Sequence, residues 1–197
     1  MDIFHHFQPI YDYKCNKNFG YEALLRCNDS NPEELFTMFI NDNKLYELDT
    51  LSICKALEVF SKKSKQEIIF VNVYLSTLFN SSFFSFLEET MSKIDLKKEN
   101  IIFEINETRK EEELWNLQHL RTVANSIQDL GFRLAIDDLG NGASSLKELV
   151  ELQPDFVKLD KYFAENLSLS IRKQKIIKLL VEYCKSDPQI VLEGIEK

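Results

Sequence analysis

The stretch Leu134-Ala135-Ile136-Asp137-Asp138 places two acids directly after an apolar run. Such a run is typical of a buried strand, and the acids then stand where the strand ends. Four further apolar runs end in acids or amides in the same way: 70–72, 101–104, 156–160 and 190–196. Buried strands that alternate with helices and carry polar side chains at their ends predict an α/β fold, a (β/α) barrel with its chemistry at one rim.

The beginning of the chain predicts an exception to the parallel pattern. One more apolar run, residues 20–26, carries its acid early, at Glu22, and belongs to a strand predicted at 19–26. Another strand is predicted at 8–13, and only the polar turn Asn16-Lys17-Asn18 separates the two. So short a connection favours an antiparallel pair.

The rest of the chain alternates between the two periodicities of helices and strands. Helices are predicted at 32–41, 45–62, 82–92, 111–130, from 144, and near 165–185, and strands at 68–74, 101–106, 133–138, 156–160 and 190–195. The total is seven strands, whereas a closed barrel of this class has eight strands and about 250 residues. We therefore expect residues 1–197 to form a single barrel domain that is short at its C-terminal end and lacks the last strand and helix.

Composition excludes several classes of function. The formal net charge of −8 disfavours binding to a nucleic-acid polymer, which requires a basic surface. No apolar run approaches the roughly 20 residues of a membrane span, and the N-terminus does not have the pattern of a signal peptide. The four cysteines form no C-x-x-C pair, so we expect free thiols in a cytoplasmic protein.

Oxygen ligands stand on four different predicted strands: Glu22, Asn72, Glu104 and Asp137. Three carboxylates and an amide form a hard site that suits magnesium, manganese or calcium. Asp138 could turn to a second ion, and two ions about 4 Å apart are a common device for attack on phosphodiesters. The alternative for any one of these residues is a helix cap or a surface charge.

Two basic residues are candidates for contacts to an anionic ligand. Lys158 lies between apolar residues of a buried strand and needs a partner there, either a water or phosphate near the metals or simply Asp160 or another strand-end acid. Arg26 shares a strand face with Glu22, and its planar fork suits a phosphate. The alternative for Arg26 is an exposed salt bridge.

The end of the chain and the glycine-containing loop give weaker signals. Glu193 could bind metal or orient a water, and Glu196 could support the loop that carries Asp138, although residues at a chain end also fray. The sequence Gly140-Asn141-Gly142 lacks the spacing of a dinucleotide site. His5 and His6 are far in sequence from the acids, and we expect both to be solvated.

Together these motifs resemble the EAL-domain family of cyclic di-GMP phosphodiesterases, over nearly the whole chain. The residues that carry the resemblance are Gln8-Pro9-Ile10, Glu22-Ala23-Leu24-Leu25-Arg26, Val71-Asn72-Val73, Glu104-Ile105-Asn106-Glu107, Asp137-Asp138-Leu139-Gly140-Asn141-Gly142, Lys158-Leu159-Asp160 and Glu193-Gly194-Ile195-Glu196.

The resemblance implies a modified TIM barrel that hydrolyses cyclic di-GMP to linear pGpG with one or two Mg²⁺ or Mn²⁺ ions, in bacterial signalling. It implies roles for ten residues: metal ligation by Glu22, Asn72, Glu104, Asp137 and Asp138, catalytic action of Lys158, Glu193 and Glu22, substrate binding by Arg26 and Gln8, and loop support by Glu196. It also implies a homodimer formed through the loop after Asp138.

Two departures from the family pattern leave alternatives open. Leu139, Asn141 and Ala143 stand where the family loop usually has Phe, Thr and Tyr, and the last strand is missing. One alternative is therefore an EAL-type receptor or interaction domain that binds cyclic di-GMP without hydrolysing it. Another is a metal-dependent barrel hydrolase with a different phosphoester substrate.

Overall fold

The computed structural model describes residues 2–105, 117–140, 146–185 and 188–195. Its strands are β1 (Ile3–Asp12), β2 (Lys17–Cys27), β3 (Ile68–Val73), β4 (Ile101–Ile105), β5 (Arg133–Leu139), β6 (Phe156–Leu159) and β7 (Gln189–Leu192). Its helices are α1 (Pro32–Asn41), α2 (Leu45–Lys63), α3 (Leu75–Leu78), α4 (Phe83–Lys93), α5 (Leu117–Asp129), α6 (Leu146–Leu152), α7 (Lys161–Ala164) and α8 (Ile171–Tyr183).

The seven strands form one mixed sheet in which every strand lies beside its neighbours in sequence. β1 and β2 are antiparallel, as the short turn predicted, and the five later pairings are parallel. β1 and β7 are therefore the two edges of the sheet among the described residues, so the TIM-like barrel is incomplete. This confirms the predicted fold class, including the antiparallel first strand.

Several boundaries differ from the prediction. β1 begins at Ile3 rather than at residue 8. The strand alternation already starts there, since Ile3, His5 and Phe7 face the helices and the residues between them face the opposite side of the sheet. The predicted helix near 165–185 starts only at Ile171, after the short α7 and a 3₁₀ turn. The predicted strand 190–195 ends at Leu192, which leaves Glu193 in the segment that follows β7.

The main hydrophobic core lies between the outer face of the sheet and the helices. The amphipathic helix α5 buries Leu120, Ala124 and Ile127, at the spacing of one helical face. These side chains pack in one cluster with Phe103 of β4 and with residues of α2 and α4. This core fixes the strands from outside and leaves their inward side chains for the interior of the barrel.

The part of the chain that the structure describes contains no helix with both the length and the apolar character needed to cross a bilayer. Its four cysteines, Cys15, Cys27, Cys54 and Cys184, are free thiols.

Candidate active site

The inward face of the sheet changes character along each strand. Toward the strand beginnings, Phe70, Ile102, Ala135 and Phe156 form a buried apolar cluster, with Val191 packed against it. Two residues further along these strands or just beyond them stand polar side chains on the same face: Asn72, Glu104, Asp137, Lys158 and Glu193. Glu22 of β2 joins this group through its contact with Lys158.

The ammonium of Lys158 is at the centre of this polar group. It is 1% exposed, and its Nζ lies close to one oxygen of each of four carboxylates. The distances are 2.7 Å to Glu193, 2.9 Å to Glu104, 3.1 Å to Asp137 and 3.2 Å to Glu22. Lys158 is thus paired with acids of β2, β4 and β5 and of the segment after β7, while Asp160 caps α7 by accepting the N–H of Tyr162. We call Lys158 and its four partners the carboxylate cage.

The carboxylate cage contains more negative than positive charge. Burial alone would lower the pKa of Lys158, but Glu104, Asp137, Glu22 and Glu193 outweigh burial and hold this pKa well above its ordinary value. Burial raises the pKa of Glu104 well above its ordinary value, and the nearby Glu22 and Asp137 add to the rise. Four carboxylates against one ammonium leave a formal charge of −3 if all are ionised, which a divalent cation would largely neutralise.

An unusual backbone conformation brings Asp138 into the same site. Successive residues of a strand normally face opposite sides, so Asp137 and Asp138 should point apart. Asp138 instead has φ = +53°, and the pairing of β5 with β6 shifts register between Ile136 and Leu139. The N–H of Asp138 donates to the Oδ1 of Asp137 at 3.0 Å. Burial, followed by the charge of Asp137, raises the pKa of Asp138.

Glu193 is placed by the backbone that follows β7. Its N–H donates to the carbonyl of Leu159 at 3.1 Å, which ties it to the end of β6. The next residue, Gly194, has φ = +69°, and a Cβ there would lie 2.6 Å from the Cβ of Lys161. Only glycine fits this position easily, so the close approach to α7 helps to aim Glu193 at Lys158.

The donors present fit a divalent cation. Asp137, Asp138 and Glu193 each offer a carboxylate oxygen, and the three oxygens lie within 4.8 Å of one another. The buried Oε1 of Glu104 lies 2.9 Å from the Nζ of Lys158, whereas its Oε2 has no hydrogen-bond partner among the described residues and is available to a ligand. Carboxylate and amide oxygens in this number suit Mg²⁺ or Mn²⁺.

A cleft of about 440 Å³ opens beside the carboxylate cage. It forms because β2 pairs with β3 only from Gly20 to Ala23, and the two strands separate beyond that point. Glu22, Asn72 and Asp137 line the end of the cleft nearest the cage, and Arg26 lines another part of the wall. The guanidinium of Arg26 donates to the carbonyl of Leu25 at 2.7 Å and remains half-buried beside the open space.

The structure corrects the expectation for one of the two adjacent histidines. His6 is exposed, but His5 is half-buried in the cleft wall, with its Nε2 3.0 Å from the Oγ of Ser52. Burial, with a further contribution from the charges of Lys55 and Arg26, lowers the pKa of His5 to about 4. The alternation of β1 was the available signal, since His5 shares the helix-facing side with Ile3.

Other predicted residues are only partly placed. Gln8 pairs with Glu22 in the antiparallel register, so the two share a face, and the side chain of Gln8 is exposed. Glu196 and residues 141–145 of the loop after Asp138 lie outside the described residues, so the predictions of loop support and of a dimer through that loop remain predictions.

The cleft also contains residues that sequence reasoning missed, notably Asp49, Ser52 and Phe36. Asp49 is the most informative, because it is a carboxylate on the buried face of α2, between Leu48 and Ile53, and is only 2% exposed. A lone acid among the apolar positions of a helix was a signal that could have identified it.

Several known proteins are similar to this chain in sequence and in fold. The cyclic di-GMP phosphodiesterase PdeA of Borreliella burgdorferi is 29% identical over 173 residues, which are 84% of this chain and 25% of that protein. A standalone EAL protein from Vibrio cholerae O395, solved with c-di-GMP bound, is 27% identical with a TM-score of 0.86, and the match covers 100% of this chain and 82% of that one. The manganese/cy-diGMP complex of BlrP1 from Klebsiella pneumoniae gives a TM-score of 0.86 at 25% identity, covering 100% of this chain and 50% of that one.

The chain spans about a quarter of the length of the first curated relatives that it matches. Residues 2–197 match the model of the EAL domain. Because that match extends over almost the whole chain, the protein belongs to the EAL domain family.

Proposed function

We propose that this chain is a metal-dependent phosphodiesterase that hydrolyses cyclic di-GMP to linear pGpG. The observation that carries the proposal is the carboxylate cage, in which oxygens from β2, β4, β5 and the segment after β7 converge on one buried ammonium beside an open cleft. The relatives named as phosphodiesterases of cyclic di-GMP, and the related structures that contain it, support this choice of substrate.

The metal ligands would come from the strand ends. Glu22, Asn72, Glu104 and Asp137 would hold one Mg²⁺ or Mn²⁺ ion, and Asp138 would serve a second with help from Glu193. When bound, such ions lower the pKa of a water and neutralise the charge that develops on a phosphodiester.

The two basic residues have different parts in the proposed reaction. Lys158, whose Nζ lies among the proposed metal ligands, would position the attacking water as an ammonium or deprotonate it as a neutral amine. Arg26, in the wall of the cleft, binds a phosphate of the substrate. Gln8 of β1, which pairs with Glu22 of β2, adds a further contact to the substrate. We also propose that residues 1–197 act as one cytoplasmic domain and pair as a homodimer through the loop after Asp138.

A second candidate is a receptor that binds cyclic di-GMP without hydrolysing it. The observation that favours it is the sequence of the loop after Asp138, in which Leu139, Asn141 and Ala143 replace the Phe, Thr and Tyr that the family usually has. Catalysis requires closer positioning than binding, so changes in this loop would impair hydrolysis before they impair binding.

The decisive test is incubation of the purified protein with cyclic di-GMP and Mn²⁺ or Mg²⁺, with pGpG followed by chromatography. We expect metal-dependent pGpG, and we expect Glu22→Gln to reduce turnover by about 100-fold or more, since it removes a charged ligand and keeps the shape. Glu88→Gln, a change of an exposed acid on α4, is the matched control and should be silent.

Other outcomes assign the protein differently. Binding of cyclic di-GMP by calorimetry without any pGpG would identify a receptor. Turnover of a generic phosphodiester such as bis(p-nitrophenyl) phosphate, without turnover of cyclic di-GMP, would indicate a hydrolase with another substrate.

A further inference from the structure

The strand that carries Asn72 is held unequally on its two sides. Toward β4, β3 stays paired to its end, with Asn72 opposite Glu104 and Val73 opposite Ile105. Toward β2, the pairing of β3 stops at Val71, because the two strands separate to form the cleft. Asn72 and the residues after it therefore need another stabilising contact on the side that faces the cleft.

Asp49 of α2 supplies such a contact at the end of β3. Its Oδ2 accepts the backbone N–H of Tyr74 at 2.9 Å, and Tyr74 directly follows β3. Asp49, Asn72 and Tyr74 line the same cleft. A hydrogen bond from a backbone N–H to an ionised carboxylate is shorter and stronger than a neutral one, so it is suited to fix a strand end.

The position of Asp49 is itself well fixed. Its neighbours Leu48 and Ile53 in α2 are 0% and 1% exposed, so the helix cannot shift without opening the core. A carboxylate that is only 2% exposed is costly to bury unless it forms hydrogen bonds. The hydrogen bond that offsets the cost of burying Asp49 is made to Tyr74, which lies two residues after the proposed metal ligand Asn72.

We propose that Asp49 is a positioning residue, which holds the end of β3 so that the side-chain oxygen of Asn72 faces the carboxylate cage. This inference rests on the proposed role of Asn72 as a metal ligand. Asp49 touches neither metal nor substrate in this proposal. It acts through the backbone of Tyr74, in the way that outer groups orient the direct ligands of a metal.

The competing explanation is that Asp49 only stabilises the fold by capping the short α3. Asp155, directly before β6, provides a matched control for that explanation. Asp155 also ties a strand through a backbone N–H, since its Oδ2 accepts from Leu134 at 2.9 Å. Asp155 lies directly before β6 and does not line the cleft, so its loss should affect stability without affecting the site.

The test compares Asp49→Ala, Asp49→Asn and Asp155→Ala. Mn²⁺ affinity is measured by calorimetry, and thermal unfolding is measured without metal. We expect Asp49→Ala to weaken Mn²⁺ binding by about 10- to 100-fold. Asp49→Asn keeps an oxygen acceptor and should recover most of the affinity. Asp155→Ala should lower the unfolding temperature and leave the Mn²⁺ affinity within about threefold of the wild type.

A second measurement separates this inference from the proposed function. Hydrogen exchange at the amides of residues 71–73 is followed in the metal-free protein, and Asp49→Ala should accelerate it about tenfold or more, whereas Asp155→Ala should not. If the wild type bound no Mn²⁺, the proposed function would fail, and the exchange rates would still decide whether Asp49 holds the strand end. Unchanged exchange in Asp49→Ala, or unchanged Mn²⁺ affinity in a protein that binds Mn²⁺, would overturn the inference.

Discussion

The two ends of the barrel interior are built on the same strands and have opposite chemistry. Toward the strand beginnings, the rings of Phe70 and Phe156 meet edge to face at 5.1 Å and fill the space as an ordinary core. Two residues further along those strands, Asn72 and Lys158 face a group of buried charges. One end of the interior thus contributes stability, and the other end is maintained at the expense of stability.

The strain at the polar end is visible in particular residues. Asp138 adopts a left-handed backbone conformation that is unfavourable for a side chain other than glycine, by about 1–3 kcal/mol. Burial opposes the ionisation of Glu104 and of Asp138. Strain and opposed ionisation in one place are typical of functional sites, so the difference between the two ends supports the assignment of the site.

The largest effect is expected from Lys158→Met, which keeps the length of the side chain and removes its charge. Turnover of cyclic di-GMP should fall by about 10²- to 10⁴-fold, because the group proposed to act on the water is lost. The free energy of unfolding of the metal-free protein should also fall by about 3–5 kcal/mol, since the buried Glu104 and Asp137 and the partly buried Glu22 and Glu193 keep no ammonium, and Mn²⁺ should restore part of this loss. Turnover and unfolding with and without Mn²⁺ measure both effects.

Lys175→Met is the control for charge alone, because Lys175 is exposed on α8. Turnover of Lys158→Met within about tenfold of the wild type would remove Lys158 from the proposed mechanism.

Phe156→Ala tests the apolar end of the interior. Phe156 is 1% exposed, packs against Phe70 and Phe19, and has the guanidinium of Arg133 5.2 Å from its ring centre. Its truncation should lower the free energy of unfolding by about 3–5 kcal/mol, measured by chemical denaturation. Mn²⁺ affinity should stay within about threefold of the wild type, and a larger change would show that the two ends are not separable.

The smallest effect is expected from Asp138→Asn, and its sign is the opposite of that for Phe156→Ala. Asparagine tolerates the left-handed conformation, and the substitution removes a charge that burial opposes. The metal-free protein should gain about 0.5–1 kcal/mol at neutral pH, a value that allows for the half-exposed position.

The pH dependence of this gain follows from the raised pKa of Asp138. A carboxyl whose pKa rises on folding reduces stability only above its ordinary value, so the gain should disappear as the pH falls below 3.8. Weaker Mn²⁺ binding should accompany the gain in stability. A variant that is less stable than the wild type at neutral pH would contradict the view that Asp138 is held at a cost.

Local patterns in the sequence were sufficient for the order of the elements and for most of the polar residues of the site. The amphipathic repeat of α5 and the short turn before β2 depend on neighbours within a few residues, so they can be read from the chain. The predicted boundaries of strands and helices were less accurate where residues are buried by partners that are distant in sequence. β1 extends to Ile3 because its helix-facing residues pack on α2, which the sequence does not place beside it.

The sequence by itself determined that acids and amides end the strands and that the first strand runs antiparallel, because strand alternation and turn length are local properties of the chain. Only the tertiary structure decided that four carboxylates contact one lysine and that Asp138 turns to the side of Asp137. It also decided that β2 and β3 separate to form the cleft that Asp49 lines. The reason is physical, since convergence depends on strand stagger, on register shifts and on the packing of α2 against the sheet. These are relations between residues far apart in sequence, and they are fixed only when the elements pack together.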